Sequence, residues 1–328
     1  MSTSPDLTSY LHSHVSSSHQ QLRDSVLPSL LSSIHAIAGH LRTSPSVTQV
    51  GTANAFGDDQ LNVDVLAEEA IRKTIASCPA IVTASSEEDP LEKSSPSTNE
   101  ATNTAEQYTL AFDPLDGSSI IAPNWSVGTI IGVWDGPSAL HRNPNEAQIA
   151  SILGVLGPRT TAIVALRLPG SKGTCFEVGY SDNGTMQVIR EDIKLCAPPF
   201  KTRYFAPANM RAAAESPEYL TLINNFIMQK YTLRYSGGLV PDVVHALVKG
   251  HGIYISPVTA QSKAKLRRLY ELAPIALIVE CAGGMALDSA TGKRILETSV
   301  EDTDERGGFI CGNMEEVEAV KKALLSLE

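Results

Sequence analysis

The 328-residue chain has no run of 18 or more apolar residues, so no membrane-spanning helix is expected. It has no excess of positive charge either. Its 26 Lys and Arg stand against 36 Asp and Glu, a balance of −10. Nucleic acid and anionic membranes are poor partners for such a chain. Cysteines are few and scattered: Cys78, Cys175, Cys196, Cys281 and Cys311. The odd count and the lack of any Cys-x-x-Cys pair fit reduced thiols in the cytoplasm. The N-terminus has no apolar signal core, and Arg23 and Arg42 are balanced by Asp6 and Asp24, which argues against a transit peptide. Nucleotide motifs are missing as well. The only Gly-Lys step, at Gly292, runs into Arg294, which excludes a P-loop. Gly250 and Gly252 lack the third glycine of a dinucleotide fingerprint, and no Gly-x-Ser-x-Gly elbow occurs.

What is present is an ordinary globular composition, 42% hydrophobic and 19% charged, which excludes a fibrous or fully disordered chain. The length predicts two domains or one large unit. Residues 1–25 are polar and rich in Ser and His, and read as a flexible segment. Five of the eight histidines lie in the first 40 residues, which reads as a solvated tail plus one helix face. Apolar spacing predicts a helix over 26–41 and a second after Asp64. Strands are expected over 80–84, 108–112, 126–134, 160–168, 174–180 and 185–190. The Ser/Thr/Asn/Glu-rich stretch 90–107 reads as a surface loop. The second half alternates: helix 217–230, strand 231–235, helix 240–248, strand 252–255, helix 265–282, strand 309–311 and helix 315–327. Such alternation predicts a layered α/β architecture.

Four acidic clusters carry candidate chemistry. They contain Asp58, Asp59 and Asp64; Glu87, Glu88 and Asp89; Asp113 and Asp116; and Glu271 among Lys265, Arg267 and Arg268. The third is the most informative. A strand delivers Asp113, Pro114 bends the chain, and Asp116 follows three residues on. That spacing can aim two carboxylates at one point while Leu115 exposes its carbonyl, a donor set for hard divalent ions. Gly117 and Ser118 follow, small enough for backbone N–H groups to approach an anion. A cation cage beside a phosphate cradle suits phosphoryl transfer or hydrolysis. An acidic surface turn is the competing reading, because Asp beside Pro and Gly is common in turns.

The run Phe112-Asp113-Pro114-Leu115-Asp116-Gly117-Ser118-Ser119 resembles the signature of the lithium-sensitive, metal-dependent sugar phosphatases. Within them the chain is similar to the fructose-bisphosphatase family, and in particular to its sedoheptulose-bisphosphatase branch. Supporting segments are 56–64, Ser86-Glu87-Glu88, 127–134, 157–161, 231–238 and 265–271. The resemblance implies an α/β (α+β) fold, a layered α-β-α-β-α sandwich. It implies a metal-binding half over 26–200 and a substrate-binding half over 201–328, joined as one catalytic unit. It implies two to three Mg²⁺, replaceable by Mn²⁺. Asp113, Asp116 and Glu271 are expected to hold one ion; Asp113, Glu87 and the Leu115 carbonyl a second; Glu87 and Asp58 a third. Asp64 and Glu88, with Asp58, are expected to serve the attacking water. Gly117, Ser118 and Ser119, with Arg267, are expected to hold the cleaved phosphate. Asn209, Arg211, Arg234, Tyr235, Gly238, Leu239 and Lys265 are expected around the sugar and the distal phosphate, Arg234 reaching in from a neighbouring subunit of a homodimer.

The implied activity is hydrolysis of the 1-phosphate of sedoheptulose 1,7-bisphosphate. Fructose 1,6-bisphosphate is the alternative substrate, and one enzyme acting on both is a further alternative. An inositol or nucleotide monophosphatase fits less well, because Arg234, Lys265 and Arg267 suit two phosphates. A non-catalytic sugar-phosphate binder is disfavoured by the complete set of acidic residues. The chain also departs from the family. AMP-reading members place Lys-Tyr before the signature strand, where this chain has Gln107-Tyr108. Residues 51–56 contain no cysteine, which disfavours thioredoxin control. Arg211 stands where fructose-bisphosphatases place a tyrosine.

Overall fold

The computed structural model describes residues 5–53, 57, 59–95 and 106–325. Two layers of β-sheet and three of helix alternate. Helices α1 (Leu7–His14), α2 (Leu27–Thr43) and α3 (Asn62–Ser77) form the outer layer on one side. A two-stranded ribbon, β1 (Gln49–Ala53) and β2 (Asp59–Leu61), joins α2 to α3. The large sheet follows, built from β3 (Ile81–Ser86), β4 (Lys93–Ser94), β5 (Tyr108–Asp116), β6 (Val127–Asp135), β7 (Gln148–Leu156), β8 (Thr160–Leu166), β9 (Thr174–Tyr180) and β10 (Met186–Arg190). Its order is β10-β9-β8-β7-β6-β5-β3-β4, antiparallel throughout except for the β3–β5 pair. Two four-residue helices, α4 (Ser118–Ile121) and α5 (Pro144–Ala147), sit in its connections.

A second sheet, β12-β11-β13-β17-β15, follows from β11 (Tyr204–Pro207), β12 (Thr232–Leu233), β13 (Ile253–Ser256), β15 (Met285–Leu287) and β17 (Phe309–Gly312). The short strands β14 (Leu266–Arg267) and β16 (Arg306–Gly307) pair with each other alone. Helices α7 (Leu239–Lys249) and α8 (Ala273–Cys281) lie between the two sheets, touching β6 and β7 on one side and β17 on the other. Helices α6 (Pro217–Met228) and α9 (Met314–Leu325) cover the far face.

The sequence explains these layers. On α2, Leu27, Leu30, Leu31, Ile34, Ile37 and Ala38 recur at helical spacing and are all buried, while Pro28 occupies the first turn. α8 reads Ala-Pro-Ile-Ala-Leu-Ile-Val-Glu-Cys, apolar all round, and only Glu280 escapes full burial. A helix of that composition belongs between two layers. Each of its buried Ile or Leu side chains contributes about 1.5–3 kcal/mol.

Three expectations need correction. Residues 1–25 are not a loose tail where they are described. Asp6 caps α1 through a hydrogen bond from the Ser9 N–H, and Leu7, Tyr10, Leu11, Val15 and Leu22 are buried in the core of the large sheet. Their polar neighbours face solvent, which hid a short amphipathic helix among serines. β5 runs on through Asp116 instead of ending at Phe112. A bulge lets Pro114 and Leu115 oppose the single residue Thr129 between the pairs Asp113–Ile130 and Asp116–Gly128. The stretch 265–282 is not one helix. β14 comes first, then a π-helical turn Arg268–Leu272, then α8.

Candidate active site

β3 and β5 are adjacent and parallel, so their carboxyl ends lie side by side. The N–H of Glu87 donates to the Phe112 carbonyl at 3.0 Å, tying the end of β3 to β5 just before its bulge. Binding sites of α/β sheets collect at such ends. Asp113 and Asp116 flank the bulge, and the π-helical turn before α8 brings Glu271 to them. Ligand oxygens of these three buried residues lie within 4.8 Å of one another.

Each carboxylate is fixed differently. Asp113 Oδ1 accepts from the N–H of Leu115, 3.0 Å away. Asp116 accepts from the backbone N–H of Leu239 at 3.2 Å and of Val240 at 2.7 Å, so it also anchors the start of α7. That approach depends on Gly128 opposite Asp116. A Cβ at position 128 would sit 2.3 Å from Val240 Cβ. Glu271 accepts from the N–H of Arg267. The Arg267 side chain, itself buried, pairs with Glu87 and lies 3.4 Å from Asp304. On α3, Asp64 Oδ2 accepts from the N–H of Leu61 at 2.9 Å, while its buried Oδ1 has no hydrogen-bond partner among the described residues. Glu88, half-buried, accepts from the side chain of Gln60.

The electrostatics follow from crowding. Burial, then Glu87, Asp116 and Glu271, hold the Asp113 carboxyl well above the usual range. Burial and Glu87 do the same to Glu271, against the pull of the Arg267 N–H. Burial raises Asp116 to about 6, opposed by its two backbone donors. Burial raises Asp64 to about 7, opposed by the Leu61 N–H and helped by Glu88 and Glu87. Several acidic side chains share one buried place, and Arg267 is the guanidinium among them. A hard oxygen donor set in that state suits a divalent cation such as Mg²⁺ or Mn²⁺. The orphaned Asp64 oxygen leaves an acceptor for a water beside it.

The residues expected around a phosphate lie on a more open side. Gly117 has φ +102°, a conformation that favours glycine, and α4 starts directly after it with Ser118 and Ser119 exposed. Gly238 caps α7, whose first residue is Leu239. Farther out, the side-chain amide of Asn209 donates to the Pro257 carbonyl at 2.8 Å. Lys265 is exposed. Arg211 is exposed and has no hydrogen bond or ion pair among the described residues. Glu215, its nearest acidic neighbour in sequence, is engaged by Thr259 and Ser262 instead. Tyr235 is raised above its ordinary value by burial and by Asp242, and Arg211 acts on it in the opposite sense, which puts Arg211 in the Tyr235 neighbourhood. Arg234 is exposed and turned back on its own chain. It donates to the Leu233 carbonyl at 2.7 Å, with its guanidinium 5.7 Å from the Tyr204 ring centre. A cavity of about 1190 Å³ lies beside Arg234, Tyr235 and Trp125, but Asp113, Asp116 and Glu271 do not line it.

Asp58 lies outside the described residues. Sequence reasoning missed Asp242, whose carboxylate accepts from the N–H of Ser236 at 2.7 Å and of Gly237 at 3.2 Å and so fixes the loop after Tyr235. Its signal was an acidic residue in the first turn of a helix that follows a Gly-Gly step.

A buried carboxylate cluster beside the bulge of a sheet strand in an α-β-α-β-α sandwich fits the metal-dependent sugar phosphatases. The chain belongs to the fructose-1,6-bisphosphatase family. Residues 10–185 match the family's description "Fructose-1-6-bisphosphatase, N-terminal domain" and residues 199–325 match "Fructose-1-6-bisphosphatase, C-terminal domain". It is 37% identical over 272 residues to the chloroplastic sedoheptulose-1,7-bisphosphatase of Spinacia oleracea, covering 83% of this chain and 66% of that protein. It is 34% identical over 277 residues to a class 1 fructose-1,6-bisphosphatase of Syntrophotalea carbinolica, covering 82% and 78%. A crystal structure from Toxoplasma gondii, provisionally described as a sedoheptulose-1,7 bisphosphatase, superposes with a TM-score of 0.87 at 34% identity, covering 99% of both chains. Members of this family are phosphoric monoester hydrolases acting on sugar bisphosphates, and the family is metal-dependent. Among the described residues no helix is long and apolar enough to cross a membrane.

Proposed function

We propose that the chain hydrolyses the 1-phosphate of sedoheptulose 1,7-bisphosphate, with fructose 1,6-bisphosphate as the poorer substrate. The observation that carries the chemistry is the convergence of Asp113, Asp116 and Glu271 at one buried point. These three, with Glu87, the Leu115 carbonyl and Asp58, are the ligands for two to three Mg²⁺. Bound ions supply charge neutralisation at the phosphate and a more acidic water. The chain's own residues do the rest. Asp64 and Glu88 orient the attacking water and take its proton. The amides of Gly117 and Ser118, with the Arg267 guanidinium, hold the phosphate that leaves. Lys265, Tyr235, Asn209 and Arg234 line the sugar and its distal phosphate.

Sugar length is read by Arg211. An unpaired guanidinium on a long arm can follow a phosphate one carbon farther out. Charge-assisted contacts of this kind contribute about 1.5–3 kcal/mol. Arg211→Ala is therefore expected to lower kcat/KM for sedoheptulose 1,7-bisphosphate by roughly ten- to a hundredfold. The loss on fructose 1,6-bisphosphate is expected to be smaller. Kinetics on both substrates with wild type and variant test the reading, and equal losses on both remove Arg211 from it.

AMP at millimolar concentration is expected to leave the rate unchanged. The N–H groups of Gln21 and Leu22 already donate to Glu106, at 3.0 and 3.1 Å, and Tyr108 donates to the same carboxylate at 2.7 Å. An inhibition curve with AMP refutes this. A homodimer is supported by the exposed apolar residues Leu220, Ile227, Met228 and Leu233 around α6 and β12. A cytoplasmic address is supported by the five free thiols.

A further inference from the structure

A second polar network joins α3 to the turn after β3, outside the carboxylate cluster. Glu68 lies one helical turn after Asp64, so both point from the same side of α3. Glu68 Oε1 accepts from Arg72 Nε at 2.7 Å and from Ser86 Oγ at 2.9 Å. The hydroxyl of Ser86 in turn accepts from the N–H of Asp89 at 2.9 Å. The N–H of Ser86 donates to the Asp89 carbonyl at 3.0 Å, which closes the turn. Arg72 Nη2 reaches Asp89 Oδ2 at 3.6 Å, and its guanidinium lies 5.3 Å from the Phe112 ring centre. Glu87 and Glu88 are the two residues held inside that turn.

We propose that Glu68, backed by Arg72, is a positioning residue that fixes the Ser86–Asp89 turn and thereby sets the affinity for the divalent metal. Glu87 acts on Asp113 and Glu271, and its neighbour Glu88 acts on Asp64, so the carboxylates repel one another whenever the metal is absent. An untethered turn relieves that repulsion by swinging outward, and metal binding then has to draw it back. The tether is suited to oppose this. It is charge-assisted, its Glu68 side chain is only 16% exposed, and it reaches α3, β3 and the Phe112 ring of β5 together. Neither Glu68 nor Arg72 has an evident role in the reaction. Hydrogen-bond partners that orient metal-binding side chains typically change metal affinity ten- to a hundredfold when removed. The inference rests on the assignment of Glu87 and Glu88 to the site.

The full chain and four variants test it: Glu68→Ala, Glu68→Gln, Ser86→Ala and, as reference, Glu87→Gln. The first readout needs no substrate: the Mg²⁺ concentration that gives half the maximal rise in Tm. The second is the Mg²⁺ concentration for half-maximal turnover. Glu68→Ala is expected to raise both at least tenfold, with KM for the sugar bisphosphate within twofold of wild type. Glu68→Gln keeps an oxygen for Ser86 and is expected to stay within threefold. Ser86→Ala is expected to raise the midpoint about threefold. A Glu68→Ala protein with lower Tm but a Mg²⁺ midpoint within twofold of wild type overturns the proposal. If Glu68→Ala fails to fold, an unchanged midpoint in Ser86→Ala overturns it. An unchanged midpoint in Glu87→Gln removes Glu87 from the metal site, and the inference falls with it. A shifted Glu87→Gln beside an unshifted Glu68→Ala sinks the positioning role alone.

Discussion

Asp113→Asn is expected to lose about a thousandfold in turnover and yet to be at least as stable as wild type in EDTA. Asp113 is the residue shared by both principal metal positions of the proposed site. Losing its charge removes several kcal/mol of transition-state stabilisation, and each 1.36 kcal/mol is tenfold in rate. Stability moves the other way. Asp113 is buried and surrounded by Glu87, Asp116 and Glu271, which hold its carboxyl well above the usual range. A carboxyl raised in the folded state costs stability at neutral pH. The cost grows as pH rises from the ordinary carboxylate value towards the folded one, and it vanishes in acid. Asparagine removes that cost, and its amide oxygen can still accept the Leu115 N–H. Turnover at saturating Mg²⁺ and Tm in EDTA check both halves. More than a tenth of wild-type turnover sinks the ligand assignment.

Asp116→Ala is expected to lose as much activity but to be less stable than wild type, with or without metal. The difference lies in what Asp116 holds. Its two oxygens accept the N–H groups of Leu239 and Val240, at the buried start of α7. Alanine leaves both donors unmade, at about 1–3 kcal/mol each, which outweighs the relief of one buried charge. Asp116→Asn keeps one acceptor and is expected to fall between. The informative measurement is the sign of the Tm change in EDTA. The same sign for Asp113→Asn and Asp116→Ala contradicts the distinction between them.

The convergence of Asp113 and Asp116 was legible before the fold was known, because they lie three residues apart in one short segment. Strand 174–180 was read to the residue, and α2, α6, α7 and α9 to within a few. β7 escaped notice. Seven of its nine residues from Gln148 are buried in succession, packed by α8 on one face and α2 on the other. A strand covered on both sides has no alternation to reveal it. The break between β14 and α8 was hidden for a related reason. Leu266 and Arg267 pair with Arg306 and Gly307, some forty residues away, and no local signal announces that partner. Asp116 is the sharpest case. Its residue type made it a candidate ligand, but its bonds to Leu239 and Val240 cross 123 and 124 positions of chain. The Glu68–Ser86 contact spans only 18 positions but was hidden too, because it exists only once α3 lies along β3.

The bulge of β5 and the turn before α8 have a consequence for the order in which this molecule comes into being. Asp113 and Asp116 leave the ribosome about 150 residues before Glu271. At ordinary translation speeds that is on the order of ten seconds or more. For most of that interval the amides of Leu239 and Val240 do not yet exist, and for all of it the third carboxylate is missing. A nascent chain halted before residue 239 has every strand of the large sheet but lacks the Glu271 carboxylate and the backbone donors that fix Asp116. The carboxylate cluster is thus completed late in the life of the polypeptide, and its closure reports that the two halves have met.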